Sequence, residues 1–309
     1  MSKILVTGGA GFIGSHLCEE LIKEHGVIVI DNLSMGNNIS FLMGNPNLTL
    51  INTDIVSHYG EFRAVFKKHK FDTVFHFASN SDISNSDPII DIDNTLRTTL
   101  RTLELCREFK VKELVFASSS AIYGETKDLI MEDYGPLQPI SHYGAAKLAS
   151  EAFIGSYAKN FGIKSWVFRF PNVIGGRATH GVLFDLIKKI KLNKRELVVL
   201  GDGEQNKPYI HVKELVDAIL FVWKNANKQI NVYNISGIGR TTVKDIAKMI
   251  VEKSGTNTKI RYTGGSVGWV GDCPQYMYHI EKLIHLGWEP KTESNQAIKI
   301  AIDEIWSSI

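Results

Sequence analysis

Residues 3–14 read Lys3-Ile4-Leu5-Val6-Thr7-Gly8-Gly9-Ala10-Gly11-Phe12-Ile13-Gly14. A short β-branched run passes into glycines spaced for a tight strand-to-helix turn: Gly9, Gly11 and Gly14 fit G-x-G-x-x-G, and Gly8, Gly11 and Gly14 fit the wider G-x-x-G-x-x-G frame. Such a turn uses backbone angles closed to other residues, brings the main chain close to a pyrophosphate and packs the helix tightly on its strand. The first helical turn then offers N–H groups and the positive end of the helix dipole to an anion.

A glycine triplet by itself is also what a ligand-free turn looks like, so its surroundings decide. A strand precedes it, and Phe12, Ile13, Leu17, Leu21 and Ile22 give the following helix an apolar face. A second strand, V-I-V-I, ends at Asp31. That acid lies about 20 residues past the middle glycine, where a ribose-binding carboxylate belongs in a dinucleotide site. A carboxylate there repels a 2′-phosphate, so NAD is expected in preference to NADP.

Composition sets the class. A chain of 309 residues can bury a large core, as one main domain with a smaller lobe. The net charge of +2 provides no electrostatic footprint for nucleic acid or an anionic membrane, which leaves a small molecule as the expected ligand. Cys18, Cys106 and Cys273 are odd in number and in no metal-like spacing, so reduced packing thiols in a cytoplasmic protein are expected. The first residues enter a strand and then glycines, unlike a signal peptide, and no apolar run is long enough to span a bilayer.

The strand-helix rhythm continues to residue 170. Strands are predicted at L-T-L-I-N before Asp54, at T-V-F-H-F-A, at E-L-V-F-A before Ser118-Ser119-Ser120 and at S-W-V-F-R-F; helices are predicted around 61–70, 89–109 and 141–160, the last with Ser141 as N-cap. Polar residues gather at the strands' carboxyl ends, where open α/β sheets bind ligands. The fold expected is therefore α/β, a Rossmann-type doubly wound parallel sheet with a smaller mixed α/β C-terminal substrate lobe. Residues 1–170 are expected to form the NAD-binding domain, joined by a later segment near 212–235, and residues 171–309 mainly the substrate lobe.

Tyr143 and Lys147 lie four apart on a predicted helix and so share a face. Read functionally, Tyr143 accepts a proton and Lys147 stabilises its phenolate. A phenol's usual pKa of about 10 is too high for a base near neutrality, and an ammonium together with a nicotinium ring would favour ionisation. The same spacing also arises by chance on solvated helices, and a serine run at a strand end is ordinary turn chemistry. Taken together, however, Ser118 to Ser120 close a strand of the same sheet just before the Tyr-Lys helix. A hydroxyl, a phenol and a lysine can then converge beside a nicotinamide, which specifies hydride and proton transfer at a carbinol carbon.

The set T-G-G-A-G-F-I-G, Asp31, Asp54-Ile55, S-S-S-A-I-Y-G, Y-G-A-A-K, R-F-P-N-V-I-G, G-D-G-E-Q-N-K-P-Y-I-H-V and L-G-W-E-P resembles the extended short-chain dehydrogenase/reductase family. Within that family it is most similar to NAD-dependent nucleotide-sugar epimerases of the UDP-galactose 4-epimerase type. The resemblance implies Ser119 as catalytic hydroxyl, Tyr143 as base and Lys147 as the residue that tunes the phenol and holds the nicotinamide ribose. It implies that Gly8, Gly11, Phe12, Ile13 and Gly14 bind the pyrophosphate. Asp31 and Asn32 would take the adenosine ribose, Asp54 and Ile55 the adenine, and Phe77, Ala78, Ser79, Asn94 and Pro171 further cofactor positions. Asn172 would contact the sugar-nucleotide phosphates. Two positions depart from the family pattern. Lys207 stands where an Arg is usual, keeping a cation without the bidentate fork, and Trp269 stands at the second phosphate-binding Arg. Phosphate neutralisation is then expected from Lys207, Arg177 or Arg261. Tyr276 matches a place where bulk is associated with excluding N-acetylated sugars.

The implied reaction is C4 epimerisation of a UDP-hexose, UDP-glucose or UDP-galactose: NAD⁺ takes hydride from C4 while Tyr143 takes the hydroxyl proton, and the 4-keto sugar receives the hydride on its other face. The alternatives are a nucleotide-sugar 4,6-dehydratase or decarboxylase, a dehydrogenase using free NAD, and a non-catalytic NAD-binding regulator. Dehydratases and decarboxylases look to carry acids just after the catalytic hydroxyl, where this chain has Ser120 and Ala121, and a regulator would have a degenerate Tyr-Lys pair. His76 and His211 read as hydrogen-bonded structural residues, and no metal is expected. Lys188, Lys189, Lys191, Lys194 and Arg195 read as a solvated helix face, or as a steering patch for a nucleotide diphosphate. Relatives pair the helices near 89–109 and 141–160 with their copies, so a homodimer is expected.

Overall fold

A computed structural model describes residues 2–80, 87–126, 129–268 and 271–309 of the chain. Seven strands form the main sheet: β1 (Lys3–Thr7), β2 (Gly26–Asp31), β3 (Leu48–Asn52), β4 (Thr73–His76), β5 (Glu113–Ser119), β6 (Lys164–Phe170) and β7 (Ile230–Asn234). They lie in the order β3-β2-β1-β4-β5-β6-β7. The pairs β1–β2, β2–β3, β1–β4 and β4–β5 are parallel, as the buried apolar runs require. The strand order reverses beside β1, successive strands being added on one side of it and then on the other, and such a switch point is where open sheets bind ligands. Register brings the strand ends level there: Thr7 pairs with Ile30 and with His76, and His76 pairs with Phe116.

Side chains alternate between the two faces of the strands. One set, including Leu5, Ile28, Ile30, Val74 and Phe116, packs with Phe62 and Phe66 of the helix Tyr59–Lys68, with Leu103 and with Ile154. On the opposite face, Val29 and Cys18 both lie against Gly9, and Phe75 meets Trp223 edge-on at 5.1 Å.

The chain divides into two compact units. The first holds residues 1–122, 142–169 and 222–233, and the second holds residues 123–141, 170–221 and 234–309. Residues 123–141 therefore cluster with the second unit, although the rhythm of the sequence puts them in the first domain, and β7 is built into the main sheet. The second unit is mixed. Helices Val182–Leu192, Val243–Ser254 and Ser294–Ser308 bury Leu186, Ile187, Ile190, Ile246, Ile298 and Ile302 together, beside the parallel pair Glu196–Val199 and Lys259–Tyr262.

Two sequence expectations need adjusting. The helix expected over 89–109 is three consecutive segments, Pro88–Asp91, a π-helical Ile92–Arg97 and Thr98–Glu108. The carbonyl of Thr95 accepts from the hydroxyls of Thr98 at 2.9 Å and Thr99 at 2.7 Å, side-chain bonds that compete with the regular ladder. The basic cluster is also not simply a solvated face, because Lys189 donates to Val198 O at 3.3 Å and Lys191 donates to Trp306 O at 2.7 Å. Residues 81–86 of the polar loop after β4, and Trp269, lie outside the described residues. Among the described residues, no helix is long and apolar enough to cross a membrane.

Candidate active site

The glycine turn closes on itself through Gly11 N, which donates to Gly8 O at 3.2 Å. Gly8 has φ +70°, and a Cβ there would come within 2.6 Å of Ala78 N. A Cβ on Gly14 would strike the Gly8 carbonyl and sit 2.8 Å from Gly9 Cα. No larger residue fits either place without moving backbone. The helix Phe12–Leu21, which contains Ile13, starts with no side-chain cap at Gly11 and no acid in its first turn. An uncapped helix start at a strand's carboxyl end suits a pyrophosphate.

Around this turn the Asp31 carboxylate accepts from Ala10 N at 2.9 Å and Leu33 N at 2.8 Å. Burial holds its pKa above the usual carboxylate range despite those backbone bonds. Asn32 Nδ2 donates to Asp54 Oδ2 at 2.9 Å. The other Asp54 oxygen accepts from Val56 N at 2.9 Å and Ser57 N at 2.8 Å. These bonds outweigh burial and keep Asp54 below the usual range, while Ile55 beside it is buried. Phe77 N donates to Thr7 O at 3.0 Å and Ala78 N to Thr7 Oγ1 at 3.3 Å, which holds the Phe77-Ala78-Ser79 segment against the end of β1. Asn94 lies exposed in the π-helical segment. The uncapped turn, the half-buried Asp31 and the Asn32–Asp54 pair offer the donors and acceptors that NAD requires.

Ser119, Tyr143 and Lys147 meet in the same unit. Ser119 ends β5 and hydrogen-bonds the Tyr143 hydroxyl near the start of the helix His142–Phe161. Ala121 N donates to Ser119 Oγ at 3.2 Å, fixing that rotor. Tyr143 is half-buried overall with its phenol oxygen enclosed, and burial pushes the phenol up to about 12. The Ser119 bond works against that rise and the Asp91 charge adds to it. Lys147 is buried, donates to Ala117 O at 2.6 Å and lies 5.6 Å from the Tyr143 ring centroid. Burial brings its ammonium down to about 7, opposed by the Glu151 carboxylate. The ionisation expected beside an ammonium and a nicotinium ring is not favoured by the protein's groups alone, because burial outweighs the Ser119 bond.

Two groups beside these were not singled out in the sequence. Asp91 is 1% exposed and accepts from Asn80 Nδ2 at 2.9 Å. Glu151 sits one turn beyond Lys147 and is gripped by Arg169. The helical spacing Tyr143-Lys147-Glu151 was the available signal for the second; nothing local marked the first. His76 bonds Thr7 Oγ1 at 2.7 Å and Thr99 Oγ1 at 3.1 Å, a structural arrangement.

The second unit holds the remaining predicted positions. Pro171 is buried beside Asn172, which starts the short strand Asn172–Ile174 and pairs with Tyr209. Asn172 Nδ2 is buried with no hydrogen-bond partner among the described residues, and both amide atoms of Gln205 share that condition. Lys207 is ion-paired with Asp272. Of the other expected cations, Arg261 pairs with Glu196 at 3.1 Å and Arg177 lies in the left-handed region at φ +68°. Tyr276 is buried, its ring 5.7 Å from that of Tyr278. The three cysteines are free thiols, Cys18 and Cys106 buried with their pKa raised by that burial.

Residues 4–236 match the family described as the NAD dependent epimerase/dehydratase family. A UDP-glucose 4-epimerase of Lactobacillus helveticus is 30% identical over 318 residues, covering 94% of this chain and 93% of that protein. A solved UDP-galactose 4-epimerase superposes with TM-score 0.88 at 34% identity, over 99% of both chains. The UDP-glucuronic acid 4-epimerase of Bacillus cereus, solved with UDP-glucuronic acid and NAD, superposes with TM-score 0.89 at 27% identity over 99% of this chain and 100% of that one.

Proposed function

The chain belongs to the NAD-dependent epimerase/dehydratase family, and we propose that within it the protein inverts C4 of a UDP-hexose, interconverting UDP-glucose and UDP-galactose. The observation that carries this reading is the Ser119–Tyr143 hydrogen bond at the carboxyl end of β5, with Lys147 one helical turn away. Gly8, Gly11, Phe12, Ile13 and Gly14 hold the pyrophosphate of NAD, Asp31 and Asn32 its adenosine ribose, and Asp54 and Ile55 its adenine. Phe77, Ala78, Ser79, Asn94 and Pro171 complete the cofactor contacts. When bound, NAD supplies a hydride acceptor that later acts as donor, and its oxidised ring adds a positive charge.

The protein's own groups manage the proton. Tyr143 Oη takes it from the sugar C4 hydroxyl as the C4–H bond breaks, and gives it back after the sugar has turned over. Ser119 Oγ bonds the same hydroxyl and the phenol, so both oxygens are aligned before reaction. A buried phenol near 12 ionises at neutral pH only with added positive charge nearby, and a protonated Lys147 contributes it. The unpartnered Asn172 Nδ2 supports a role in bonding a phosphate oxygen, and Lys207 supports charge neutralisation once Asp272 releases it. Buried Tyr276 narrows the room for an N-acetyl group. The residues after Ser119, Ser120 and Ala121, hold no acid for an elimination.

Incubation with NAD and a panel of UDP-glucose, UDP-galactose, UDP-glucuronic acid and UDP-N-acetylglucosamine, read by NMR, tests the assignment. Equilibration of UDP-glucose with UDP-galactose and no net NADH is expected. A 4,6-dehydrated product or stoichiometric NADH overturns it. We further propose a homodimer through the helices near 89–109 and 141–160, which leave Ile89 56%, Phe153 42% and Phe161 52% exposed. A monomeric mass by light scattering overturns that.

A further inference from the structure

The helix His142–Phe161 meets the end of β5 in three rungs. Tyr143, Lys147 and Glu151 stand one turn apart on one face. Ser119 bonds Tyr143, Ala117 O accepts from Lys147 Nζ at 2.6 Å, and Ser118 Oγ donates to the Glu151 carboxylate. Two rungs carry the proposed proton chemistry; the third is used by no step above. Behind it, on β6, Arg169 holds the same carboxylate with Nε 3.1 Å from Oε1 and 3.2 Å from Oε2, and Nη2 2.7 Å from Oε2. The Arg169 and Glu151 side chains are only 7% and 9% exposed.

A buried ion pair is an inefficient way to stabilise a fold, since apolar residues of similar volume often do as well or better. Its place here has a use in charge. Lys147 is 1% exposed, so burial drives its ammonium toward the neutral form, and the Glu151 carboxylate opposes that drive. A neutral amine would neither support a phenolate nor carry three donor hydrogens.

We propose that Glu151, clamped by Arg169 and Ser118, is a positioning residue that keeps Lys147 protonated and seated on Ala117 O, and thereby sets the alkaline edge of catalysis. The catalytic consequence rests on the epimerase reading; the charge of Lys147 does not. Of the other groups facing this cluster, the Phe116 ring, 4.8 Å from Lys147 Nζ, also favours the ammonium and is common to every variant below, and the charged and titratable ones oppose the effect or leave it unchanged. His76 on β4 is neutral in the working range, because burial and then the Lys147 charge press it down to about 3. Asp91, in the segment Pro88–Asp91, acts on Tyr143, and the Arg169 guanidinium, paired with Glu151, offsets part of that carboxylate's pull on Lys147.

The test is titration of lysine in ¹³C-lysine-labelled holoenzyme, the Lys147 ε-carbon signal being identified by its absence in Lys147→Met. In Glu151→Gln, which keeps acceptors for Arg169 and Ser118, the Lys147 midpoint is expected to fall by about one pH unit, and the alkaline limb of kcat to fall with it. Arg169→Lys should leave both in place. Should Glu151→Gln fail to fold, the double variant Glu151→Leu/Arg169→Met removes the pair without an orphaned charge and should show a smaller fall in the same direction. An unmoved midpoint overturns the proposal, as does a moved midpoint with an unmoved alkaline limb. Absence of turnover by the parent enzyme on every sugar counts against the epimerase reading and leaves the titration to decide the charge of Lys147.

Discussion

The Ala10 amide donates a 2.9 Å hydrogen bond to the Asp31 carboxylate, tying the end of β2 to the glycine turn that follows β1. With Leu33 N as its second donor at 2.8 Å, the carboxylate is held in place before any ribose arrives. Asp31→Ala is expected to weaken NADH binding by about 10- to 100-fold, the usual worth of hydrogen bonds to a charged group, and to narrow the preference over NADPH. Fluorescence titration with both nucleotides checks this, and an unchanged NADH affinity would remove Asp31 from the site.

Gly14 is constrained by backbone and Gly60 is not. A Cβ at Gly14 would strike the Gly8 carbonyl, whereas nothing lies within 4 Å of a Cβ at Gly60 on the helix Tyr59–Lys68. Gly14→Ala should cost about 1–3 kcal/mol through overpacking and lower the NAD content of the purified protein. Gly60→Ala should be neutral or stabilise by about 0.5–1 kcal/mol. Thermal melts of the two variants, which should move in opposite directions or differ by several degrees, decide the point.

His76 makes stability depend on pH. Burial and the Lys147 charge lower its folded-state pKa to about 3, below the ordinary histidine value, so the stability it contributes is fully present above that ordinary value and is lost as pH falls toward 3. Between pH 6.5 and 5 the loss should reach about 2 kcal/mol, at ~1.4 kcal/mol per pH unit. In His76→Leu the urea midpoint should be flatter over that range; an equally steep fall would place the dependence elsewhere.

Tyr143→Phe and Ser119→Ala should each lower kcat by about 10²- to 10⁴-fold, the range for a positioned acid-base group. Both should still retain NAD, because the glycine turn and Asp31 are untouched. Turnover on UDP-glucose with measured cofactor content separates the two effects.

Lys207 is engaged by Asp272 in the protein alone. If it neutralises a phosphate, Lys207→Met should raise KM for the UDP-sugar by about 10-fold or more with kcat little changed, the signature of binding equal in ground and transition states. A drop in kcat at constant KM would assign it a different task.

Much of the first unit was legible because its signals are local. The glycine spacing, the apolar runs of β1 to β6 and the acid at Asp31 depend on neighbours within a turn or a strand. The π-helical stretch Ile92–Arg97 was not legible, since threonine hydroxyls reaching back to Thr95 O leave the hydrophobic period of an ordinary helix intact. Nor was the phenol's elevated pKa, which is set by burial and not by residue spacing.

By itself, the sequence determined a strand-turn-helix built for a dinucleotide and a serine, a tyrosine and a lysine able to work together. Only the tertiary structure decided that residues 123–141 cluster with the second unit, that Lys207 faces Asp272, and that Ser119, Ala117 and Ser118 meet Tyr143, Lys147 and Glu151 rung by rung. The physical reason is range. Backbone angles and periodicity act between neighbours in the chain, whereas parallel pairing, burial and charge coupling join residues brought together only when the sheet has formed.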